Sequence, residues 1–349
     1  MKEQKEAEEL APKKLDTLTF KGGTGSMALQ PKMKALGLTG INVSEFCLGT
    51  LPMGPLQGNL PRETCVEIVS KALEIGVNFF DTAEKYQTQP YLGEALGNQR
   101  NQTVIATKSD AEDYDGMNAS VEKSLQELAT DYIDIYHLHA AKPSTEVFSE
   151  RKGALECLQK RKEEGVIRAV GISTHHAQVV HQAAEREDID VVYPLINKTG
   201  LGIIGGSLED MESGITKAHR RGKGIYIMKP LGGGALVSTA KECFLWAKNL
   251  PGVDSVSVGV VSTTELLQDL KCFGIEHPEV AKQDLEDMEH SGKRLYIIQA
   301  GCNGCGSCVE ACPNQALSLV EGKAQVDPQQ CLLCCYCAPE CPEFLIRVC

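Results

Sequence analysis

The sequence lacks the features that would place it in a membrane, in a secretory pathway or on nucleic acid. No window approaches about 18 consecutive apolar residues, and the first thirty residues have neither the apolar centre nor the cleavage site of a signal peptide. Basic residues are outnumbered, with 35 Lys and Arg against 47 Asp and Glu and a net charge of −12. We therefore expect a cytoplasmic protein whose partners are small molecules, not membranes or nucleic acids.

Cysteine, in contrast, is abundant and unevenly placed. Five of the fifteen cysteines are scattered over the first 300 residues, and ten lie within the last 48. In an intracellular protein this abundance indicates metal ligation or redox chemistry rather than disulfides. The shift in composition predicts four parts: a polar arm (1–33), a large domain (34–275), a charged helical linker (276–296) and a small domain (297–349).

Eight short runs of apolar and β-branched residues in the large domain alternate with amphipathic helical patterns. The runs are FCLGT at 46–50, VNFFD near 77, TVIATK near 103, YIDIYHLH near 132, IRAVGIS near 167, IDVVYPL near 189, GIYIMKP near 224 and VSVGV near 256. This number of strand–helix units over about 240 residues predicts an α/β fold, a closed (β/α)8 TIM barrel. An open doubly wound sheet would need a GxGxxG fingerprint after an early strand, and the sequence has none there.

The small domain repeats the cysteine spacing C-x2-C-x2-C-x3-C-P twice. In such a run three thiolates hold one cubane and the fourth points to the neighbouring cluster. The spacing therefore predicts two [4Fe-4S] clusters, one on Cys302, Cys305, Cys308 and Cys341 and the other on Cys331, Cys334, Cys337 and Cys312. Zinc is the competing metal, but a tetrahedral zinc site explains neither the third cysteine of each run nor the trailing proline. Cys335 and Cys349 are interpreted as additional thiols.

Residues 295–349 resemble the bacterial two-cluster ferredoxins. The likeness includes both cysteine runs, NQAL after the first run and a short VEGKAQVD hairpin between the runs. It implies a small α+β ferredoxin-like domain that transfers electrons. The likeness is specific for the clusters and not for their redox partner, for which a ferredoxin or another redox protein is a candidate.

Polar residues follow consecutive predicted strands at their carboxyl ends, where barrels of this class form their active sites. Asp81 and Tyr86 follow the second strand, Lys108 ends the third and His139 ends the fourth. A Lys ammonium lowers the pKa of a neighbouring Tyr hydroxyl, an Asp pairs with the Lys, and the phenol donates a proton to a carbonyl oxygen. The imidazole of His139 would hydrogen-bond the same oxygen. His137 shares a strand face with His139 and is interpreted as a hydrogen-bonded core residue.

From about residue 34 to 272 the chain resembles the aldo/keto reductases. The likeness includes LGLTGINVS, FFDTAEKY, IATKSD, DYIDIYHLH, GIS and IMKPLGGG. It implies Tyr86 as general acid, Lys108 and Asp81 as its tuning pair, and His139 as the donor that orients the substrate. Ser173 would hold the carboxamide of a nicotinamide. Together with the cysteine runs, the chain resembles the subgroup of this family that carries a C-terminal two-cluster ferredoxin module.

The nicotinamide end of the predicted cofactor site departs from the pattern of this family. Beside Ser173, the chain has Thr174 where Asn often follows, and Tyr193 where the sixth strand often carries a carboxamide-binding Gln. These departures weaken the expected hold on a nicotinamide.

The remaining candidate cofactor contacts follow the seventh and eighth strands. Lys229 and the run Gly232–Gly234 could approach a pyrophosphate. After Gly259, the chain offers Ser262 and Glu265 where a 2′-phosphate would need basic residues, so NADH is favoured over NADPH.

Three functions are compatible with these residues. The first is a carbonyl reductase or alcohol dehydrogenase that uses NAD(P)H, with the clusters storing or relaying electrons. The second is a reductase independent of nicotinamide, in which the clusters deliver single electrons directly to an organic substrate at the barrel mouth. The third is an electron-transfer or docking subunit with a non-catalytic barrel, and the retention of Asp81, Tyr86, Lys108 and His139 counts against it.

Overall fold

The computed structural model describes residues 30–283, 294–312, 314–331 and 336–348. Almost all of the predicted arm and about half of the predicted linker, residues 284–293, lie outside these residues. Cys334, a predicted cluster ligand, and the additional thiols Cys335 and Cys349 also lie outside them.

An antiparallel hairpin of β1 (Met33–Ala35) and β2 (Asn42–Ser44) precedes the barrel. Leu36, in its turn, is fully buried and contacts Gly224, the first residue of a barrel strand. The Gly37 amide donates to Asp254, one residue before another barrel strand. The hairpin therefore closes the amino-terminal end of the barrel, opposite the end where the candidate catalytic residues lie.

Eight parallel strands form a closed barrel, which confirms the predicted (β/α)8 fold. In chain order they are β3 (Phe46–Gly49), β4 (Phe79–Asp81), β5 (Val104–Ser109), β6 (Ile133–Ala140), β7 (Ile167–Thr174), β8 (Val191–Pro194), β9 (Gly224–Met228) and β10 (Ser255–Gly259). Pairing of β10 with β3, Val256 opposite Phe46, completes the ring. Each strand coincides with one predicted apolar run.

Helices cover the outside of the barrel and bury apolar faces against the strands. They are α1 (Arg62–Ile75), α2 (Gln89–Leu96), α3 (Tyr114–Glu127), α4 (Val147–Glu150), α5 (Lys152–Glu163), α6 (Ala177–Glu185), α7 (Leu208–Arg220), α8 (Ala240–Lys248), α9 (Thr263–Phe273) and α10 (Pro278–Ala281). Helix α1 ends at Gly76 with φ of 97°, a left-handed conformation that glycine adopts without strain. None of the helices in the described part of the chain is long and apolar enough to cross a membrane.

The predicted small domain, called the C-terminal module below, is a small α+β unit, as expected. Strand β11 (Leu295–Ile297) pairs antiparallel with β14 (Ile346–Val348), and β12 (Leu317–Val320) forms a hairpin with β13 (Lys323–Val326). A single-turn helix, α11 (Ser307–Glu310), carries Cys308. Lys142, in the loop after β6, donates to both the carbonyl and the carboxylate of Glu343 at 2.7 Å. These contacts attach the module to the mouth of the barrel.

Candidate active site and cluster site

A buried ion pair lies at the carboxyl end of the barrel. The Lys108 ammonium donates to both carboxylate oxygens of Asp81, at 2.7 and 2.9 Å, and to the Thr82 carbonyl at 2.7 Å. Burial raises the pKa of Asp81 and lowers that of Lys108, while their mutual attraction opposes both shifts. Because all three ammonium hydrogens have acceptors, Lys108 is held rigidly beneath the cavity.

Two tyrosines complete the hydrogen-bond shell of Asp81. Tyr193 donates to one carboxylate oxygen at 3.2 Å and Tyr226 donates to the other at 3.0 Å, and the two rings stack 3.8 Å apart. His137 Nε2 lies 2.7 Å from the Tyr226 oxygen, which matches the interpretation of His137 as a core residue. A Cβ on Gly171 would lie 2.2 Å from His137 Nδ1, so the ring needs glycine there. The sequence analysis did not predict Tyr226, whose side chain gives no signal distinct from an ordinary buried strand residue.

Tyr86 lies beside this ion pair in a short helical turn and lines a cavity at the carboxyl end of the barrel. The Lys108 ammonium is 4.9 Å from the centre of its ring, and the His139 ring is 6.0 Å away in an edge-on arrangement. Burial raises the pKa of the Tyr86 hydroxyl well above its usual value, and the carboxylates of Asp81 and Asp110 raise it further. The hydroxyl is therefore protonated at neutral pH.

The upward shift of the Tyr86 pKa corrects the expectation that Lys108 lowers this pKa. The Lys108 charge is neutralised by Asp81, and its ammonium lies 4.9 Å from the centre of the Tyr86 ring. The effect of Lys108 on the phenol is consequently outweighed by burial. Tyr86 is thus arranged to give up a proton only to a strongly basic acceptor such as a developing alkoxide.

His139 is a neutral member of the site. Burial lowers the pKa of its imidazole to about 3, against the opposing effect of Asp110. Its Nδ1 lies 3.1 Å from an Asp110 oxygen, although the two atoms are not aligned for a hydrogen bond. A neutral imidazole can form a hydrogen bond with a carbonyl oxygen or an alcohol without changing its charge.

Gly54 fixes the position of Tyr86. A Cβ on Gly54 would lie 2.2 Å from the Tyr86 carbonyl oxygen. We expect Gly54→Ala to displace the turn that carries Tyr86 and to lower kcat about 10²-fold, because a displacement of about 1 Å misaligns reacting groups. Steady-state kinetics would be compared with Gly116→Ala, at an exposed position of helix α3, where the added methyl meets only side chains. Equal kcat values would show that the turn adapts and that Gly54 does not position Tyr86.

The candidate cofactor residues divide into two groups. Four of them line the cavity above Asp81, which has a volume of about 120 Å³: Tyr193, Lys229, Gly259 and Glu265. Ser173 and Thr174 are buried and do not line it. Ser262 does not line it either, because its hydroxyl accepts the Glu265 amide at 3.1 Å as the N-cap of α9.

The C-terminal module contributes residues to the barrel mouth that the sequence analysis did not predict. Arg347, in β14, is 5% exposed and lines the same cavity as Tyr86. Phe344 is buried in the apolar cluster inside the barrel, 6.1 Å from the His175 ring. The apolar run FLIRV indicates a strand after the last cysteine, but the sequence holds no signal for the place where that strand docks.

The structure brings four of the predicted cluster ligands together. Cys302, Cys305, Cys308 and Cys341 line one small cavity. The Ala324 amide donates to the Cys302 sulfur and the Leu345 amide donates to the Cys341 sulfur, both at 3.4 Å. Such amide–sulfur hydrogen bonds are typical of cluster sites.

The described ligands of the second cluster lie in the same module. Cys337 belongs to its apolar core, and Cys312 and Cys331 pack against that core. Within the described ranges, no three His, Cys, Asp or Glu side chains converge closely enough to hold a single metal ion.

Comparison with known proteins agrees with this geometry. The pattern of the Aldo/keto reductase family matches residues 45–244, more than half of the 349 residues, so the chain belongs to that family. A 4Fe-4S dicluster domain matches residues 301–344. The protein is therefore an oxidoreductase of the aldo/keto reductase type with a 4Fe-4S domain.

Several curated proteins are similar in sequence. L-galactose dehydrogenase from Arabidopsis thaliana is 27% identical over 245 residues, which are 66% of this chain and 74% of that protein. The uncharacterized oxidoreductase YqkF from Bacillus subtilis is 29% identical over 173 residues, 45% of this chain and 54% of that protein. An NADH-specific methylglyoxal reductase from Escherichia coli is 29% identical over 186 residues, 45% of this chain and 56% of that protein. The matched regions thus span between about half and three quarters of these relatives.

Solved structures share the barrel. A putative aldo-keto reductase from Pseudomonas aeruginosa superposes with a TM-score of 0.61 at 24% identity, over 70% of this chain and 96% of that one. The holo form of an aldo-keto reductase from Bacillus halodurans gives a TM-score of 0.58 at 20% identity, over 73% of this chain and 97% of that one. At these identities the likeness shows the fold alone.

Proposed function

We propose that this oxidoreductase reduces a carbonyl compound, or oxidises the corresponding alcohol, at the barrel mouth with Tyr86 as proton donor. The observation that carries the proposal is the placement of a protonated Tyr86 at the cavity, beside the buried Lys108–Asp81 pair. A phenol at this position stabilises the negative charge that develops on a carbonyl oxygen as the carbon is reduced.

Reduction of a carbonyl to an alcohol consumes two electrons and two protons. Tyr86 supplies the proton that reaches the oxygen, and His139, edge-on to its ring at 6.0 Å, orients the substrate from the other side. Lys108 and Asp81 position Tyr86 from below and keep the net charge under the cavity near zero. The second proton and the electrons have to come from a cofactor or, for the proton, from solvent.

A nicotinamide cofactor, which supplies a hydride, fits only part of this cavity. Tyr193, Lys229, Gly259 and Glu265 would contact it, and the Glu265 carboxylate favours the ribose hydroxyls of NADH over the 2′-phosphate of NADPH. The glycine run is a poor fit for a pyrophosphate, because a Cβ on Gly234 would lie 2.4 Å from the Val348 carbonyl oxygen of β14. The space beside that run is occupied by the C-terminal module.

Direct electron delivery from the clusters is the second candidate. Phe344 lies at the barrel mouth only three residues after Cys341, a predicted cluster ligand, and its amide donates to the Cys341 carbonyl at 2.8 Å. This segment is a short covalent route between the cluster site and the apolar cluster inside the barrel. Two [4Fe-4S] clusters would supply one electron each, and a low-potential redox protein such as a ferredoxin would have to recharge them.

An anaerobic titration of the reconstituted protein tests the electron source. NADH and NADPH would be added separately, with nicotinamide fluorescence reporting binding, EPR reporting cluster reduction and product analysis reporting turnover of a carbonyl. For the nicotinamide enzyme we expect NADH to bind about 10-fold more tightly than NADPH, and Glu265→Gln to narrow that preference. A control without carbonyl separates binding from turnover.

The alternative outcomes of this titration are distinct. If neither nucleotide binds, but chemically reduced clusters are reoxidised by a carbonyl substrate, electrons reach the site from the clusters. If neither nucleotide nor reduced clusters support turnover of any carbonyl, the proposed carbonyl reduction is wrong.

A further inference from the structure

The last strand of the C-terminal module packs directly on the glycine run Gly232–Gly234 of the barrel. A Cβ on Gly234 would lie 2.4 Å from the Val348 carbonyl oxygen and 2.9 Å from the Val348 amide nitrogen. A Cβ on Gly233 would lie 2.9 Å from Arg347 Cδ. The backbone of β14 therefore occupies the space directly above this run, where a side chain or a bound phosphate would otherwise lie.

Phe344 anchors the same segment inside the barrel. Its side chain is buried in the apolar cluster of the barrel interior. A Cβ on Gly202, in the loop after β8, would lie 2.6 Å from Phe344 Cε1, so the ring fills the space that this glycine leaves. The Lys229 ammonium lies 5.2 Å from the centre of the ring and adds a cation–π contact from the barrel side. Gly202 and the run Gly232–Gly234 thus form one docking surface for residues 344–348.

The docked conformation depends on this anchor. Phe344 has a φ of 48°, a left-handed conformation that is costly for a residue with a side chain and that persists where surrounding contacts hold it. The neighbouring contact with the barrel is the pair of Glu343 and Lys142, whose side chains are both exposed. Because an exposed pair contributes little, removal of the Phe344 ring should release the strand from the barrel.

The docked strand leaves only a small cavity at the barrel mouth. Its volume is about 120 Å³, and Arg347 and Val348 form part of its wall. Pockets that enclose a drug-sized ligand usually measure about 300–1,000 Å³, and a nicotinamide dinucleotide is larger than most such ligands. Lys229 and Glu265, two of the candidate cofactor contacts, line the cavity, but the run Gly232–Gly234 is covered by β14. The mouth does not accommodate both the strand and a dinucleotide that lies on this run.

We propose that β14 and a nicotinamide dinucleotide compete for the glycine run, so that NADH binds only when the C-terminal module has left the barrel mouth. The inference rests on the proposed function, since it concerns the electron source for reduction beside Tyr86. The apparent affinity for NADH then equals the affinity of the undocked form multiplied by the fraction of chains that are undocked. A docked chain depends on its two clusters, one electron from each, and on a low-potential redox protein that recharges them.

The test is a gain of NADH binding in holoprotein variants that weaken docking. Phe344→Ala removes the anchor from the module, and Gly202→Ala displaces the ring from the barrel side without altering the module. We expect each variant to bind NADH about 10 to 100-fold more tightly than the wild-type protein, measured by calorimetry without a carbonyl substrate. Small-angle X-ray scattering would show departure of the module as a larger radius of gyration when NADH is bound.

Each variant has a matched control. Gly165 has a φ of 79°, close to the 88° of Gly202, and a methyl group added there would contact no residue of the described chain beyond its neighbours within 4 Å. Phe148 is a buried phenylalanine of α4 that does not line the cavity. Gly165→Ala and Phe148→Ala should change NADH binding by less than about 2-fold, because neither alters the docked fraction. Iron content and the visible spectrum show whether the clusters are intact in every variant.

Two results would overturn the proposal. If NADH bound to the wild-type protein with an unchanged radius of gyration, the dinucleotide and β14 would occupy the mouth together. If neither Phe344→Ala nor Gly202→Ala bound NADH more tightly than the wild-type protein, the docked strand would not be what limits nucleotide binding.

Failure of the proposed function would look different. Reduction of a carbonyl by chemically reduced clusters would be measured separately in the same preparations. Absence of this activity together with a gain of NADH binding would leave the competition standing. Normal carbonyl reduction without any gain of NADH binding would remove the competition alone.

Discussion

Replacing Tyr86 by phenylalanine is expected to lower kcat for carbonyl reduction about 10² to 10⁴-fold, the usual contribution of a positioned general acid. The substitution removes only the hydroxyl and leaves the ring contacts with Lys108 and His139 in place. KM should change little, because the ring still lines the cavity. Single-turnover kinetics under anaerobic conditions would separate this loss from slow product release.

The matched control for this experiment is Tyr114→Phe, which removes a phenol that is 41% exposed and distant from the cavity lining. Both variants should keep the full iron content. If Tyr86→Phe retained wild-type electron transfer and turnover, the barrel would be a docking platform and the catalytic assignment of Tyr86 would be wrong.

Breaking the Lys108–Asp81 pair is expected to have the largest effect on stability. In Lys108→Met the Asp81 carboxylate remains buried with only two tyrosine donors, and we expect a loss of about 3–5 kcal/mol in the free energy of unfolding. Urea unfolding followed by far-UV circular dichroism would measure the change, with the clusters kept reduced and intact. Lys123→Met removes a half-exposed ammonium that pairs with Glu84, and should cost about 0–1 kcal/mol.

The double variant Asp81→Asn/Lys108→Met distinguishes a buried-charge penalty from simple loss of packing. Removing both charges should restore much of the stability lost in Lys108→Met. A double variant less stable than Lys108→Met by the full cost of Asp81→Asn would show that the two residues act independently, contrary to the geometry.

The barrel was predictable from the sequence because each strand is a local pattern. Buried parallel strands are apolar on both faces, and runs such as TVIATK and GIYIMKP differ plainly from the amphipathic helices that follow them. The positions of Asp81, Lys108 and His139 followed from the same pattern, since the carboxyl ends of barrel strands meet at one mouth. Their distances and their pairing became available only from the structure.

The direction of the Tyr86 pKa shift, in contrast, could not be predicted from the strand pattern. Lys108 would lower the pKa of the phenol if its charge were available, but Asp81 takes up that charge and burial dominates. Such a balance depends on distances of a few ångströms, which residue types do not specify.

Local hydrogen bonds occupy the side chains of some predicted cofactor-binding residues. Ser262 appears available in the sequence, yet its hydroxyl caps α9, and the Thr174 hydroxyl accepts the His176 amide at 3.1 Å. Arg347 escaped prediction for the opposite reason, because its contacts with the barrel are with residues more than a hundred positions earlier in the chain. Neither kind of contact leaves a periodic signal.

The docking of β14 on the barrel has a consequence for biosynthesis. All eight barrel strands emerge from the ribosome before the strand that carries Arg347, so a barrel can close while its mouth is still open. That strand is held by a module whose interior is rich in cysteine thiols and which depends on iron and sulfide for its completion. Supply of these inorganic components would therefore decide when the mouth of a newly made barrel receives β14, and a cell short of iron would accumulate chains whose barrel is closed but whose mouth is still open.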